Sequence, residues 1–381
     1  MNLFKSLLVA PAALGLLSPL ASQATEVNLD AISNYQGEIE LDSNSFKPFS
    51  TKNTLLSGGE GLTSDHDHDG SFSETTTASF GVDFLLGSVD GASSEATTFD
   101  YQMGIGLETS FTGEDSLSAT IDIGNASSVA GGSTGLNFDS TTDALKLDGL
   151  TYTFPVGGAT VMVGDNTDSS AVYTGACAYS ALTDYMGNCG TGNSVGVGGK
   201  GATAAMSYAF DGGFSVAGGI SSTESDIMGK IGDDSFGVEA AYSADNYGVA
   251  VGYSMSESTA TAADGGAQTE TTYWGVNAYY TPESAGFPTI SVGVESEDPE
   301  SGSTKTGFFT GLSFPEVGPG TFDIGLGTAA NYADTDTEYY IYEASYAYPV
   351  NDSMTLTPGI YIRETATDDQ TGFVLKTSFS F

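Results

Sequence analysis

The 381-residue chain carries 49 acidic residues and nine basic residues, which gives a formal net charge of −40. This acidic excess excludes nucleic-acid binding, because phosphates require a concentrated basic surface. The 51 glycines, 20 tyrosines and 21 phenylalanines argue against disorder and are typical of many strands joined by turns.

The first 24 residues have the pattern of an export signal. Lys5 supplies a positive charge, and residues 7–20 form an apolar stretch. Small residues at Ser22 and Ala24 occupy the positions that a signal peptidase reads, so we expect cleavage after Ala24 and a mature protein outside the cytoplasm. The alternative is an N-terminal membrane anchor, for which the apolar stretch is short.

Residues 25–74 differ from the rest of the chain. They are polar, contain few aromatic residues and show no sustained hydrophobic period. A segment of this length could hold at best a very small domain. We interpret it as a mostly irregular periplasmic N-terminal extension.

Both histidines of the chain lie in the segment Asp65–Gly70, with the sequence DHDHDG. Asp65, Asp67 and Asp69 match the first half of a calcium-binding loop, and Gly70 matches its turn. The twelfth position is Thr76 instead of a bidentate glutamate, whereas alternating carboxylate and imidazole groups also suit a transition metal. The other interpretation is a solvated acidic linker. Calorimetric titration with calcium and zinc distinguishes the two, and no other cofactor is indicated.

From about residue 75 onward the sequence alternates with a period of two. Between Phe99 and Phe111 the odd positions are apolar or aromatic except for Thr109, and the even positions are glycine, polar or acidic. Successive side chains of a strand point to opposite faces, so one face of this segment is apolar. Its 13 residues exceed the roughly 9–11 that a tilted strand needs to cross a bilayer. Aromatic residues at both ends fit the two interfacial girdles of a membrane barrel.

About sixteen such segments, within a range of 14–18, recur between residues 75 and 381. Short turns alternate with longer, acidic, glycine-rich loops. We therefore predict an all-β fold, a closed antiparallel transmembrane β-barrel, because an open sheet edge in lipid would leave backbone groups unpaired. A soluble β-sandwich also alternates, but so many long strands with a face of Gly, Ser and Ala disfavour it.

The polar face of the predicted strands carries charges that would line the lumen of the barrel. The candidates are Asp83, Asp100, Glu108, Asp122, Glu239, Arg363 and Lys376. Acidic rings favour cations and basic groups favour anions, and a negative field concentrates cations at the mouth. We expect a weak cation preference at low salt. The alternative is that most acids lie in outer loops and only keep the surface hydrated.

Cys177 and Cys189 are the only cysteines. In an exported protein such a pair is expected to form a disulfide, which would stabilise by roughly 3 kcal/mol through loop closure. Both lie in residues 165–193, the longest segment without alternation inside the predicted barrel. We expect this segment to fold into the lumen or cap it and so to narrow the pore. A flexible outer loop with a disulfide is the alternative.

Enzymatic activity is not expected. Residues 75–381 contain no histidine, which excludes a Ser-His or Cys-His nucleophilic pair there. No glycine motif that would hold a phosphate follows a strand and opens a helix, and no local spacing of acids suggests paired carboxylates. The missing histidines also disfavour a lipid-modifying enzyme.

The last residues continue the alternation. Phe373, Leu375, Phe379 and Phe381 share one face with Thr377. This resembles the closing strand of bacterial outer-membrane barrels, and the resemblance implies that Phe379 and Phe381 form the signal read by the barrel-assembly machinery.

Several stretches resemble the cyanobacterial outer-membrane porins, which are grouped with carbohydrate-selective and iron-uptake porins. They are LLVAPAALGLL near the start, SFTGEDSL at 110–117, LDGLTYTFPVG at 147–157, DSMTLTPGIYIRET at 352–365 and the terminal KTSFSF. Members of that family usually carry an S-layer-homology domain and often a coiled coil. Residues 25–74 are too short for both, so the resemblance implies a short form.

The resemblance implies passive diffusion of small hydrophilic solutes, ions or carbohydrates, across the outer membrane. The implied partners are outer-membrane lipid, the assembly machinery, small solutes and two further copies in a homotrimer. The alternative is a structural or adhesive barrel without an open pore. Liposome swelling separates the two, because only an open pore admits small solutes.

Overall fold

The computed structural model describes residues 76–92, 95–125, 141–183, 201–227, 232–259, 268–284, 286–329, 332–333 and 336–381. The predicted signal, the extension at 25–74 and the metal-binding candidates Asp65, Asp67 and Asp69 lie outside the described residues, so those predictions stay predictions. Within the described ranges, no helix is long and apolar enough to cross a membrane.

The described chain forms seventeen strands of one sheet. In chain order they are β1 (Thr76–Asp90), β2 (Thr97–Thr109), β3 (Ser116–Gly124), β4 (Lys146–Val156), β5 (Ala159–Asp165), β6 (Gly201–Ala209), β7 (Phe214–Thr223), β8 (Asp234–Ser243), β9 (Tyr247–Thr259), β10 (Gln268–Tyr280), β11 (Thr289–Pro299), β12 (Lys305–Val317), β13 (Gly320–Thr328), β14 (Tyr332–Ala333), β15 (Tyr340–Asn351), β16 (Met354–Arg363) and β17 (Gln370–Ser380).

The sheet closes into a barrel because β1 pairs with both β2 and β17. All pairings are antiparallel, and each long strand has two neighbours among the described strands. The two-residue β14 pairs with the start of β12, so sixteen long strands form the cylinder. The predicted all-β barrel of about sixteen strands is confirmed, and the β-sandwich alternative is wrong. Closure satisfies the backbone groups that an open edge would leave unpaired.

The alternation places apolar side chains outside the barrel. On β9, Val251 is 49% exposed whereas the adjacent Ala250 is fully buried. Val249 and Tyr253 continue the exposed outer face, and Ser254 lies buried on the inner face. A water-soluble protein rarely exposes so continuous an apolar surface, which marks contact with lipid or with another protein. This pattern is that of a lipid-facing strand.

The two ends of the barrel differ in the length of their connections. One end, called here the short-turn end, has two-residue turns such as Gly157-Gly158 and Asp352-Ser353. Both glycines have positive φ, as the tight type I′ hairpin turn requires. At the other end, called here the long-loop end, β3 is joined to β4 and β5 to β6 by longer connections, of which the structure describes residues 125, 141–145 and 166–183. This asymmetry was expected from the sequence and is typical of outer-membrane barrels.

Aromatic side chains gather near both ends of the outer face. At the short-turn end, the rings of Phe80 and Phe381 stack with their centroids 5.6 Å apart. Toward the long-loop end, Phe236 and Tyr253 lie 6.4 Å apart on neighbouring strands. Two such bands separated by aliphatic side chains match the positions of the two membrane interfaces.

The turn between β2 and β3 is organised by one buried carboxylate. Asp115 is 7% exposed and accepts a hydrogen bond of 2.7 Å from the Tyr152 hydroxyl of β4. It also accepts from the backbone amides of Phe111 and Thr112, at 2.9 and 2.8 Å. The hydroxyls of Ser110 and Thr112 donate at 2.9 and 2.8 Å. The stretch 110–117 therefore folds around Asp115.

These donors should make the barrel sensitive to acid at Asp115. The Tyr152 hydroxyl, followed by the Thr112 and Ser110 donors, lowers the pKa of Asp115 well below its ordinary value, against the opposing effect of burial. A lowered folded-state pKa gives stability that is present above the unfolded pKa of about 4 and is lost as the pH falls toward the folded value. We expect the wild-type melting temperature to fall more steeply below pH 4 than that of Asp115→Asn, measured by the heat-modifiable shift on gels. Parallel curves, with the exposed Asp211→Asn as control, would contradict this role.

Candidate functional site

The inner face of the barrel holds the charged residues predicted from the sequence. On β1, Asp83 lies on the same face as the buried Leu85 and Val89. Phe84 points outward from the opposite face. Residues that are paired on neighbouring strands lie on the same face of the sheet, so the strand register identifies the inner face all around the barrel. Asp83, for example, pairs with Gln102, and Leu85 pairs with Lys376. By this criterion the structure places all seven candidates on the inner face: Asp83, Asp100, Glu108, Asp122, Glu239, Arg363 and Lys376.

Four of the acids lie together on the wall formed by β1, β2 and β3. Asp83 accepts a hydrogen bond of 2.8 Å from Gln102 Nε2. Asp100 accepts from the Thr98 hydroxyl at 3.0 Å. Glu108 accepts from Ser116 at 2.8 Å, and Asp122 lies one strand further along. Each of the first three accepts a hydrogen bond from a neutral donor, so this wall presents a row of acidic side chains to the lumen.

The described part of the β5–β6 connection, residues 166–183, runs inside the barrel and is called here the inner loop. It contains a 3-10 helix at Ser169–Val172, where the Ser170 amide donates a hydrogen bond of 2.7 Å to Oδ1 of the N-cap residue Asp168. Ser169 is fully buried against Gly219 of β7, where a side chain larger than hydrogen would collide with it. The loop therefore begins packed directly on the wall.

Glu239 of β8 holds the middle of the inner loop. Its Oε1 accepts hydrogen bonds from the backbone amides of Thr174, at 2.8 Å, and Gly175, at 3.3 Å. Glu239 is only 4% exposed. Next along the loop, Ala176 packs on Ala241 and Ala250 of the inner wall. The Glu239 carboxylate, predicted as a lumen charge, thus binds the loop instead of facing open solvent.

Glu343 of β15 holds the far part of the inner loop more extensively. Its Oε1 accepts from the Tyr179 hydroxyl at 2.9 Å and from the Leu182 amide at 2.7 Å. Its Oε2 accepts from the amide of Thr183 at 3.0 Å and from its hydroxyl at 2.7 Å. Ala178 adds a bond from its amide to Ser291 of β11 at 3.0 Å. The inner loop is therefore attached to the wall from β7 to β15.

An apolar cluster forms where the inner loop meets the wall. Tyr179 and Leu182 of the loop pack with six buried wall residues. These are Leu85, Val89, Phe309, Ile341, Tyr361 and Val374. Glycines allow the contact, because a side chain at Gly311 would collide with the Tyr179 ring and one at Gly359 with Leu182. Part of the lumen is consequently filled with apolar side chains, and the water-accessible space is narrowed.

The described part of residues 165–193 therefore follows the predicted course into the lumen. Residues 184–193 lie outside the described residues. The loop leaves a cavity of about 590 Å3 on its short-turn side, bordered by Ala178 and Ser180 of the loop. The inner loop thus divides the interior without filling it.

Three inner acids of this site were not predicted from the sequence. Glu343 lies between the outward Tyr342 and Ala344, so the alternation alone would have placed it inside. The same holds for Asp323 on β13 and Glu295 on β11. Alternation gives the face of each acid, but it does not show which acids the loop will cover.

The predicted disulfide concerns the far part of the inner loop. Cys177 is half-buried and its Sγ accepts from the Tyr179 amide at 3.3 Å. Cys189 lies outside the described residues, so the disulfide stays a prediction. We expect the denatured, unreduced protein to take up no thiol reagent and the reduced protein to take up two. A mass shift from thiol labelling of the denatured protein without reductant would contradict the disulfide.

Metal ligands are sparse in this part of the chain. Among the described residues, no three His, Cys, Asp or Glu side chains lie close enough to hold a metal ion. The DHDHDG segment at 65–70 lies outside them.

The chain shares its fold with solved bacterial barrels. OprB of Pseudomonas putida aligns with a TM-score of 0.61 at 12% identity, over 81% of this chain and 94% of that one. An anion-selective porin from Comamonas acidovorans gives 0.59 at 13% identity, over 81% and 99%. OmpT, an outer membrane protein of Vibrio cholerae, gives 0.56 at 11% identity, over 81% and 99%. No protein-family model and no curated protein sequence matches the chain. At these identities the likeness establishes a common fold.

Proposed function

We propose that this chain is an outer-membrane channel through which small hydrophilic solutes and ions diffuse passively. The observation that carries the proposal is the inner loop, held on the wall of a closed, outwardly apolar barrel by Glu239 and Glu343. A loop fixed inside a barrel narrows the opening to a defined size while leaving polar space beside it. Solved structures of the same fold include an anion-selective porin, which supports the proposal.

The test is reconstitution of the mature, signal-cleaved protein in lipid. We expect stepwise conductance in planar bilayers and swelling of proteoliposomes in small sugars, with a size cut-off set by the inner loop. Tight vesicles and silent bilayers from correctly folded barrels would overturn the proposal and favour a structural or adhesive barrel.

The negative wall of β1–β3 should favour cations. The variant Asp83→Asn/Asp100→Asn/Asp122→Asn is expected to lower the cation-to-anion permeability ratio by roughly fivefold, the effect of about 1 kcal/mol for one charge contact in water. The difference should be largest in dilute salt, where the Debye length is about 30 Å at 0.01 M, and should vanish near 1 M. Reversal potentials in a salt gradient measure the ratio.

The matched control removes three exposed turn charges from the short-turn end, as Asp211→Asn/Asp245→Asn/Asp352→Asn. It has the same net charge change but leaves the inner wall intact. Equal shifts in both triple variants would show that overall charge, and not the β1–β3 wall, determines selectivity. An anion preference in the wild type would refute the cation preference directly.

The apolar outer face and the aromatic bands support insertion in an outer membrane. Phe379 and Phe381 at the end of the barrel suit recognition by the assembly machinery, and Phe381 pairs with Phe80 through two backbone hydrogen bonds of 2.8 and 3.0 Å. The cyanobacterial assignment, the short form and the homotrimer rest on the sequence resemblance. Cross-linking of the detergent-extracted protein tests the trimer.

A further inference from the structure

The cavity on the short-turn side of the inner loop has an unusual lining for so acidic a protein. Its described walls are mainly hydroxyl, alanine and other uncharged side chains. Two ionisable side chains line it, Asp323 of β13 and Lys376 of β17. Among the described residues, no ion pair joins the two. The cavity thus carries one negative and one positive group that face a common space.

We propose that Asp323 and Lys376 form a subsite for small zwitterionic solutes, such as α-amino acids, in the path through the barrel. The inference rests on the proposed channel function and deepens it. The ammonium group of the solute is attracted to Asp323 and its carboxylate to Lys376. Hydroxyl groups such as those of Ser345 and Thr357 lie between the two and supply neutral hydrogen-bond partners.

Strand register gives the separation of the two charges. Asp323 is paired with Ser345 of β15, which is paired with Gly359 of β16, which is paired with Val374 of β17. Lys376 lies two residues beyond Val374 toward the short-turn end. Three strand spacings of about 4.8 Å, combined with two residues or about 7 Å along the strand, separate their backbones by roughly 16 Å. Both side chains border the same cavity, so a small solute inside it lies between a carboxyl group and an ammonium group.

Protein replaces much of the water around both side chains. Asp323 is 5% exposed and lies beside its cross-strand neighbour Ser313, while Lys376 is half-buried. Charges interact more strongly where protein replaces water. By contrast, Asp83, Asp100 and Asp122 form a wall of one sign, which attracts any cation. The pair at Asp323 and Lys376 has no net charge and selects for a molecule that carries both signs.

The experiment compares isomers in proteoliposome swelling. Glycine and alanine are zwitterions, and glycolamide and lactamide are their uncharged isomers of the same formula. The wild-type protein, Asp323→Asn/Lys376→Gln and the exchanged pair Asp323→Lys/Lys376→Asp are reconstituted at equal channel number, counted by conductance. We expect the zwitterion-to-isomer rate ratio to fall by about twofold to fivefold in the neutral variant, the size expected of one partly solvated charge pair. The exchanged pair restores the ratio, because a zwitterion can bind in the reversed direction.

The outcomes separate this inference from the proposed function. If the wild type admits no solute at all, the channel function fails. If the amides enter and the ratio is equal in the wild type and the neutral variant, the channel stands and the zwitterion subsite is refuted. The subsite is also refuted if the zwitterion-to-isomer rate ratio falls in the neutral variant and is not restored in the exchanged pair, because the effect would then come from altered structure.

Discussion

Replacing Met103 by arginine is expected to destabilise the folded barrel by about 2–4 kcal/mol, the cost of a charge at the middle of the lipid-facing surface. Met103 is the central residue of β2 and lies between the outward Val82 and Ile123. The arginine would have to reach water from the depth of the hydrocarbon. Urea unfolding of the reconstituted protein, followed by tryptophan fluorescence and the heat-modifiable gel shift, measures the loss.

The adjacent Gln102 provides the control. Gln102 points into the lumen and donates to Asp83 at 2.8 Å, so an arginine there can pair with the carboxylate. Gln102→Arg should fold with near wild-type stability and should weaken the cation preference. If both arginines are tolerated equally, or if Gln102→Arg is the more damaging, then the outer face of β2 does not meet hydrocarbon.

The second large effect is expected at Glu343. Substitution by alanine removes the acceptor of four loop hydrogen bonds and leaves the amides of Leu182 and Thr183 without it. Hydrogen bonds to a charged group contribute about 1.5–3 kcal/mol each. Even a loss of about 3 kcal/mol would raise the population of a released loop by a factor of about 10². We expect flickering single-channel currents and a changed mean conductance.

Two variants sharpen the interpretation of Glu343. Ser378→Ala, on the inner face of β17 opposite Asp83, removes a hydroxyl without touching the loop bonds and should leave the current steady. Glu343→Gln keeps the side-chain volume but turns a donor toward the loop donors, so it should also release the loop. Chymotrypsin should then cut at Tyr179, which is 8% exposed in the attached loop. Steady currents and protection of Tyr179 in Glu343→Ala would show that other contacts hold the loop.

The fold was predictable because it follows from local alternation. In β2 around Met103, and in β9 with its exposed valines, a few consecutive residues are enough to show which side chains point outward. The number of such segments gives the number of strands in the barrel. The inward direction of Asp83 or Lys376 follows from the same rule. No long-range information is needed for these assignments.

The roles of the inner-face residues depend on which part of the wall the inner loop contacts. Glu343 and Thr183 are 160 positions apart in the chain, so no local pattern joins them. Glu239 has the alternation of a lumen charge, yet it binds loop amides. Leu85 and Tyr361 are apolar on a face expected to be polar, because the loop covers them. These features require the tertiary structure.

The pairing of β1 with β17 also has a kinetic consequence. Gly81 lies opposite Ser380, so the cylinder cannot close until β17 has been made and brought to β1. Contacts between such remote parts of a chain form slowly. Until then the incomplete sheet has two unpaired edges, and unpaired strand edges promote aggregation. The large acidic excess suits this interval, because mutual repulsion keeps incomplete chains apart in water.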